Sequence, residues 1–172
     1  MPDRYVVFSH GKDGTPWGEK ITAMAEMARS EGFEAESVDY QGIDDPNDRV
    51  NRLLTFCKDL RGSLVLVGSS LGGHVVTAAS RLLQARGLFL LAPAFYMPGF
   101  EQHTPKPAEC PITIVHGWRD DVVPVDNSLK FAREHSATLH ILESDHRLHD
   151  VLSLVNYLFE FFLVALDLPK RR

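Results

Sequence analysis

One stretch of the sequence decides the fold, Leu64-Val65-Leu66-Val67-Gly68-Ser69-Ser70-Leu71-Gly72-Gly73-His74-Val75-Val76. A short apolar run leads into Gly-x-Ser-x-Gly, and apolar residues at helical spacing follow at once, which predicts a strand, a tight turn and a helix. In such a turn the central residue, Ser70, takes a strained backbone conformation that lifts its side chain above the sheet. We expect Gly68 and Gly72 to lie where a Cβ atom would collide with a neighbouring strand or helix. An ordinary Gly/Ser turn is the alternative.

Composition indicates a single domain over residues 1–172. A chain of 172 residues can bury a core without disulfides or metal, and its 44% hydrophobic and 24% charged content is that of an ordinary soluble protein. The net charge of -5 and the pI near 5.9 give no reason to expect nucleic acid or a membrane as a partner. Only the end of the chain, Lys170-Arg171-Arg172, is basic, and we expect it to be solvated.

The cysteines and the two ends of the chain predict a cytoplasmic protein. Cys57 and Cys110 lie at no metal-binding or redox spacing, and we expect buried free thiols in a reducing compartment. The residues that follow Met1 lack the pattern of a signal peptide. The longest apolar stretch near the C-terminus, residues 151–168, is interrupted by polar residues and predicts a core-packed helix, not a membrane span.

Strand-like and helix-like segments alternate along the chain. The predicted strands cover residues 5–8, 35–40, 64–67, 87–91, 112–115 and 138–142; the predicted helices end near Ser30, open at Asp45-Pro46, and cover 71–85, 125–135 and the residues from 150 onward. Most of these strands are continuous apolar runs, which is typical of parallel strands covered on both faces. The expected fold class is therefore α/β, a three-layer αβα sandwich with a mostly parallel sheet of about six strands.

A serine at the tip of a tight turn needs a base that takes its proton and an acid that orients the base. Two segments downstream of Ser70 carry such residues, and each directly follows a predicted strand. Residues 116–124 read His-Gly-Trp-Arg-Asp-Asp-Val-Val-Pro, and residues 143–150 read Glu-Ser-Asp-His-Arg-Leu-His-Asp.

Taken together, these segments resemble the α/β-hydrolase family. The resemblance rests on a histidine after the last strand, on Gly68-Ser69-Ser70-Leu71-Gly72 and on His116-Gly117-x-x-Asp120-x-x-Val123-Pro124, in the chain order Ser, Asp, His. It extends over nearly the whole chain. It implies a minimal α/β-hydrolase fold with strand order 2-1-3-4-5-6. We expect no cap domain, because the chain is short for the family.

The resemblance also implies the catalytic residues. Ser70 would be the nucleophile, His146 the general base and acid, and Asp120 the orienting carboxylate. Asp121 is an alternative to Asp120, because a shift of one residue in the turn would present it instead. His149 is an alternative to His146, although we expect His149 in the turn that leads into the last helix.

Backbone N–H groups must stabilise the negative charge that develops on the attacked carbonyl oxygen. The resemblance assigns one of them to Leu71, the residue after the nucleophile. The loop His10-Gly11-Lys12-Asp13-Gly14 resembles the His-Gly-x-x-Gly loop of esterases in the family, in which Lys12 would supply the second N–H. A plain glycine turn is the alternative. We expect His10 to brace this loop, and His10 and Gly11 to border the substrate.

The predicted function is a serine hydrolase of the carboxylesterase or thioesterase type, acting through an acyl-enzyme on a small-molecule or acyl-group substrate. Phe95, Tyr96, Met97 and Trp118 are candidate walls of an apolar acyl site, and simple packing is the alternative for half of these four side chains. An uncapped site predicts a small or extended substrate. The predicted mechanism needs no metal and no organic cofactor, and the sequence leaves the oligomeric state open.

Two other functions remain open at this point. A hydrolase-like interaction module would be catalytically silent, but such modules usually lose a member of the triad, and none is missing here. Metal-dependent hydrolysis through Asp145-His146, His149-Asp150 and Asp120-Asp121 would leave the Gly-x-Ser-x-Gly turn unexplained. We interpret His116 as an ordinary residue of the loop that contains Asp120.

Overall fold

The structure is a computed structural model that describes residues 3–167, so the basic end Lys170-Arg171-Arg172 lies outside the described residues. Its strands are β1 (Arg4–Ser9), β2 (Glu34–Val38), β3 (Ser63–Ser69), β4 (Gly87–Leu91), β5 (Ile112–Gly117) and β6 (Thr138–Leu142). Its α-helices are α1 (Glu19–Ser30), α2 (Pro46–Cys57), α3 (Leu71–Ala79), α4 (Val125–His135) and α5 (Leu152–Asp167).

The strands form one sheet in the order β2-β1-β3-β4-β5-β6, and every neighbouring pair is parallel. The predicted fold class and strand order are both confirmed. Because parallel strands end at the same side of a sheet, we call that side the carboxyl edge. The segments that contain Lys12, Ser70, Asp120 and His146 all follow the carboxyl ends of strands and therefore lie at this edge.

Helices cover both faces of the sheet, so alternate residues of one strand join different apolar clusters. Val65 and Val67 of β3 pack in a cluster with residues of α1 and α5, whereas Leu64 and Leu66 pack with residues of α2, α3 and α4. Both cysteines are free, as predicted. Cys57 is buried in the second cluster, whereas Cys110, which we expected to be buried as well, is only partly buried. Burial raises the pKa of the Cys57 thiol to about 12, which keeps it protonated and unreactive near neutral pH.

The prediction for α3 was wrong at its C-terminal end. It extended the helix to about Ala85, but α3 ends at Ala79 and turns follow over residues 80–84. The hydroxyl of Ser80 donates to the carbonyl of Thr77 at 2.7 Å, and the Ser80 N–H donates to the same carbonyl at 3.3 Å. A side chain that bonds to the backbone in this way competes with the next helical hydrogen bond and ends the helix.

The last helix packs one side on the sheet, as predicted. It follows a 3-10 turn at His149–Val151. By length and composition alone, the segment His149–Asp167 is long and apolar enough to cross a membrane. Its buried side is formed by Val155, Phe159, Phe162 and Leu163. Its opposite side exposes Leu154, Tyr157, Phe161 and Val164.

Candidate active site

The turn between β3 and α3 holds Ser70 in an unusual backbone conformation. Ser70 has φ 54° and ψ -118°, a region that residues with a Cβ rarely occupy. Four backbone hydrogen bonds fix it there. Its N–H donates to the carbonyl of Leu91 at 2.9 Å, and its carbonyl accepts from the N–H groups of Gly73 at 2.9 Å, Ala94 at 3.0 Å and His74 at 3.4 Å. The hydroxyl is thereby presented at the carboxyl edge, above the centre of the sheet.

Glycines make this turn sterically feasible. A Cβ on Gly68 would lie 2.3 Å from the carbonyl oxygen of Gly72, and a Cβ on Gly72 would lie 2.0 Å from that of Ser9. Both collisions were expected from the sequence. A third glycine, Gly73, was not singled out, and a Cβ there would lie 2.8 Å from Pro93 Cβ. The turn therefore tolerates no side chain at these positions without moving backbone.

Ser70, His146 and Asp120 form one chain of hydrogen bonds. His146 Nε2 lies 3.1 Å from Ser70 Oγ, and His146 Nδ1 lies 2.7 Å from Asp120 Oδ2. Because the carboxylate accepts a hydrogen bond from Nδ1–H, the neutral imidazole presents an unprotonated Nε2 to the hydroxyl. The structure thus brings together three residues that are 76 and 26 positions apart in the sequence.

The carboxylate of Asp120 is fixed on both oxygens. Its side chain is fully buried, and Oδ1 accepts the N–H groups of Val122 at 2.9 Å and of Val123 at 2.8 Å. The competing Asp121 is exposed. The other alternative, His149, is also exposed, with Nδ1 3.9 Å from a carboxylate oxygen of Glu19. Asp120 and His146, the residues favoured from the sequence, are thus the ones that form the hydrogen bonds leading to Ser70.

The loop after β1 lies directly beside Ser70. A Cβ on Gly11 would lie 3.4 Å from Ser70 Cβ, which is ordinary van der Waals contact. Among the described residues we find no acceptor for the backbone N–H of Lys12 or of Leu71, the two groups proposed from the sequence to face the substrate oxygen. His10 is buried, and its Nε2 accepts the N–H of Tyr40 at 3.1 Å, so it braces the loop.

Comparison with known proteins identifies the family. The model of the alpha/beta hydrolase family matches residues 6–163. The chain belongs to the α/β-hydrolase family. The human mitochondrial palmitoyl-protein thioesterase ABHD10 is 26% identical to this α/β-hydrolase over 194 aligned residues, with 77% of the chain covered. The chain spans only 63% of the length of that relative.

Solved structures share the whole architecture. A protein from Xanthomonas campestris pv. campestris, described as a hydrolase of the alpha/beta superfamily, has a TM-score of 0.88 at 29% identity, covering 96% of this chain and 99% of its own. A second Xanthomonas campestris protein, described as an a/b serine hydrolase without lid, has a TM-score of 0.81 at 17% identity, covering 100% and 85%. The expected family and the uncapped fold are confirmed.

In this α/β-hydrolase His116 has a place that the sequence analysis missed. It lies on β5, fully buried, and is not part of the loop that contains Asp120. Its Nε2–H donates to Val123 O at 2.9 Å and also lies 2.9 Å from Asp120 Oδ2, while Nδ1 accepts from Ser128 Oγ at 2.7 Å. Burial lowers the pKa of His116, so the ring is neutral, as this pattern requires. A histidine at the last positions of a strand, four residues before the acid, was the available signal.

Lys20 connects the segment that contains Ser70 with the segment that contains His146. Its ammonium group donates to Ser69 Oγ at 3.2 Å and to the carbonyl of Arg147 at 3.0 Å, so it bridges the residue before Ser70 and the residue after His146. Burial lowers its pKa to about 8, opposed by the charge of Asp145. A lysine in the first turn of an amphipathic helix carries no signal for this role, because the sequence pattern there predicts an exposed side chain.

The candidate walls of the acyl site lie in different places. Trp118 is 58% exposed at the carboxyl edge. Phe95 is fully buried and stacks on Phe131, with 4.0 Å between the ring centroids. The hydroxyl of Tyr96 bonds to the carboxylate of Glu134 on α4. These placements favour packing for Phe95 and Tyr96 and leave Trp118 accessible to a substrate.

The residues considered for a metal site are engaged elsewhere. Within residues 3–167, no group of three His, Cys, Asp or Glu side chains is arranged to hold a metal ion. His146 is turned to Asp120, His149 lies near Glu19, and Asp145 caps its own loop by accepting the N–H of Arg147 at 2.8 Å. That hydrogen bond lowers the pKa of Asp145.

Proposed function

We propose that this α/β-hydrolase cleaves an ester or a thioester through an acyl-enzyme on Ser70. The observation that carries the proposal is the chain from Ser70 Oγ through both ring nitrogens of His146 to Asp120, at 3.1 and 2.7 Å. A serine hydroxyl is a poor nucleophile until a base takes its proton, and an unprotonated Nε2 within hydrogen-bond distance is such a base.

The proposed reaction has two halves. Ser70 Oγ attacks the substrate carbonyl carbon while its proton moves to His146 Nε2, and the buried carboxylate of Asp120 stabilises the imidazolium that results. The N–H groups of Leu71 and Lys12 donate to the carbonyl oxygen as it becomes negative. His146 then returns the proton to the leaving alcohol or thiol. A water molecule, deprotonated by His146, attacks the acyl-enzyme and releases the acid and Ser70.

The proposed substrate is an accessible acyl group. The curated human relative is named as a palmitoyl-protein thioesterase, which favours a thioester or ester of a fatty acid over an amide. The described residues, 3–167, include no cap inserted over the site, and the exposed ring of Trp118 offers apolar surface at the same edge. We further propose that the protein acts in the cytoplasm and needs neither a metal ion nor an organic cofactor.

Labelling with a fluorophosphonate probe tests the proposal. The wild type should be labelled, Ser70→Ala should not, and the exposed-serine control Ser153→Ala should be labelled like the wild type. A metal chelator should leave labelling and p-nitrophenyl ester hydrolysis unchanged. If folded wild type is not labelled, the catalytically silent interaction module replaces this proposal. If the chelator lowers ester hydrolysis, metal-dependent hydrolysis replaces this proposal instead.

A further inference from the structure

Arg49 is buried where no ion pair accounts for it. It lies on α2, is 1% exposed, and has no carboxylate within salt-bridge distance in the described part of the chain, residues 3–167. Burial lowers its pKa, yet a guanidinium remains charged at any ordinary pH. A buried charge is unfavourable unless polar groups replace the water that it loses. The arrangement of those groups indicates what Arg49 does.

The replacement for water is a set of backbone carbonyls. The Arg49 guanidinium donates to Ile43 O at 2.6 Å and to three successive carbonyls of the loop after β1: those of His10 at 3.3 Å, Gly11 at 3.2 Å and Lys12 at 3.4 Å. The same guanidinium lies 5.2 Å from the centre of the Tyr40 ring. The Gly11 carbonyl also accepts from His10 Nδ1–H at 2.7 Å and from the Gly14 N–H at 3.3 Å. Arg49 is therefore one of three donors to Gly11 and the side chain that contacts all three consecutive carbonyls.

The direction of these carbonyls matters because a trans peptide group points its N–H opposite to its carbonyl. The carbonyl of Gly11 points to Arg49, so the N–H of Lys12, in the same peptide group, points away from Arg49. The same loop lies beside the nucleophile, since a Cβ on Gly11 would lie 3.4 Å from Ser70 Cβ. The loop therefore contacts both Arg49 and Ser70.

We propose that Arg49 is a positioning residue that orients the Lys12 N–H toward the substrate oxygen. The inference rests on the proposed function of Ser70. Stabilisation of a developing oxyanion depends on donors that are already aligned before the reaction, because realigning them during the reaction would raise the barrier. Arg49 never touches the substrate; it acts through the Gly11–Lys12 peptide group. Its loss should weaken binding of the transition state more than binding of the substrate.

Two substitutions and a control on the same helix test this role. Arg49→Met removes all four bonds and Arg49→Lys keeps the charge but not the planar set of donors, so the second variant is informative even if the first does not fold. Arg52→Met, at an exposed position one turn away on α2, is the matched control. For each folded variant we would measure kcat and KM on a p-nitrophenyl ester and the inhibition constant of a trifluoromethyl ketone, which forms a negatively charged adduct with a nucleophilic serine.

Arg49→Lys should lower kcat by about 10- to 100-fold with KM changed less than about threefold, and the ketone should bind more weakly by the same factor as kcat falls. Arg52→Met should match the wild type. Unchanged kcat and ketone binding in folded Arg49→Lys would overturn the inference, as would a loss explained entirely by a smaller folded fraction. Failure of the proposed function itself looks different, because the wild type would then not react with the fluorophosphonate probe at all.

Discussion

The two faces of the sheet and its carboxyl edge are built in different ways. On the faces, apolar side chains pack against each other from regular strands and helices. Phe159 of α5 is fully buried, with ring centroids 6.2 Å from Phe8 and 5.0 Å from Phe89. The carboxyl edge instead collects polar side chains that are buried against backbone, above all Arg49 and His116.

The backbone of the carboxyl edge is strained as well. Ser70 at 54°, Ala92 at 41° and Leu148 at 58° have positive φ angles there although they are not glycine. The other described residues of this kind lie in turns and loops that connect helices and strands: Gln84, Tyr96 and Ser136. Such residues destabilise a fold by roughly 1–3 kcal/mol each and persist only where surrounding structure holds them. The comparison teaches that the faces supply the stability that the edge uses. Substitutions on the faces should therefore change stability, and substitutions at the edge should change activity.

The largest expected effect is that of Asp120→Asn at the edge. Oδ1 accepts two backbone N–H groups, so the asparagine oxygen must take that place and its NH₂ must face His146. Nδ1 then has to accept a hydrogen bond, which moves the imidazole proton to Nε2, where it blocks deprotonation of Ser70. We expect kcat to fall roughly 10⁴-fold, by analogy with other serine triads.

Asp121→Asn is the matched control, because it makes the same chemical change at an exposed neighbour. It should keep wild-type kcat. The pair of variants is compared by ester hydrolysis at saturating substrate, with circular dichroism to show that both are folded. Equal kcat values of the two variants would contradict this prediction, since the carboxyl edge would then tolerate the loss of its buried hydrogen-bond acceptor.

On a face, Phe159→Ala should have the opposite effect. Removing a buried phenylalanine leaves a cavity and typically destabilises a protein by about 3–5 kcal/mol. Urea unfolding should show this loss, while kcat per labelled active site stays within about twofold of the wild type. Phe161→Ala, on the same helix at a position 73% exposed, should unfold like the wild type. A large loss of kcat per site in Phe159→Ala would show that face and edge are not separable.

The sequence predicts the two faces of the sheet better than it predicts the carboxyl edge. The periodicity of apolar residues predicts the faces, because the local spacing of these residues indicates strands and helices. The triad came instead from the resemblance to the α/β-hydrolase family. Ser70 and Asp120 have fixed places in two short motifs, and His146 was chosen because it follows the last strand. Arg49, which contacts the loop after β1, has no such signature. Arg49 lies on a polar helix and binds carbonyls 37 to 39 residues upstream, a distance at which local pattern carries no information.

The candidate walls of the acyl site show the converse problem. An apolar loop such as Phe95-Tyr96-Met97 has the same composition whether it faces a substrate or the core. Only the position of α4 decides between the two, because Phe131 and Glu134 of that helix contact Phe95 and Tyr96. The end of α3 was mispredicted for a related reason, since a single serine hydroxyl bonding to the backbone leaves apolar spacing unchanged.

The smallest expected effect concerns Lys20, which lies where face and edge meet. Burial lowers its pKa to about 8, below the ordinary value near 10.5. Below pH 8 both the folded and the unfolded chain carry the charge, and its burial disfavours folding by a constant amount. Between pH 8 and 10.5 the folded chain releases the proton while the unfolded chain keeps it, so this unfavourable contribution shrinks as the pH rises.

Lys20→Met isolates that contribution from other groups that titrate in the same range. The unfolding free energy of Lys20→Met minus that of the wild type should decrease by about 1–3 kcal/mol between pH 7 and pH 10. The exposed control Lys58→Met should show a constant difference. A constant difference for Lys20→Met as well would mean that its ammonium is solvated like any surface lysine, and the edge would then hold its two catalytic segments together without burying a charge between them.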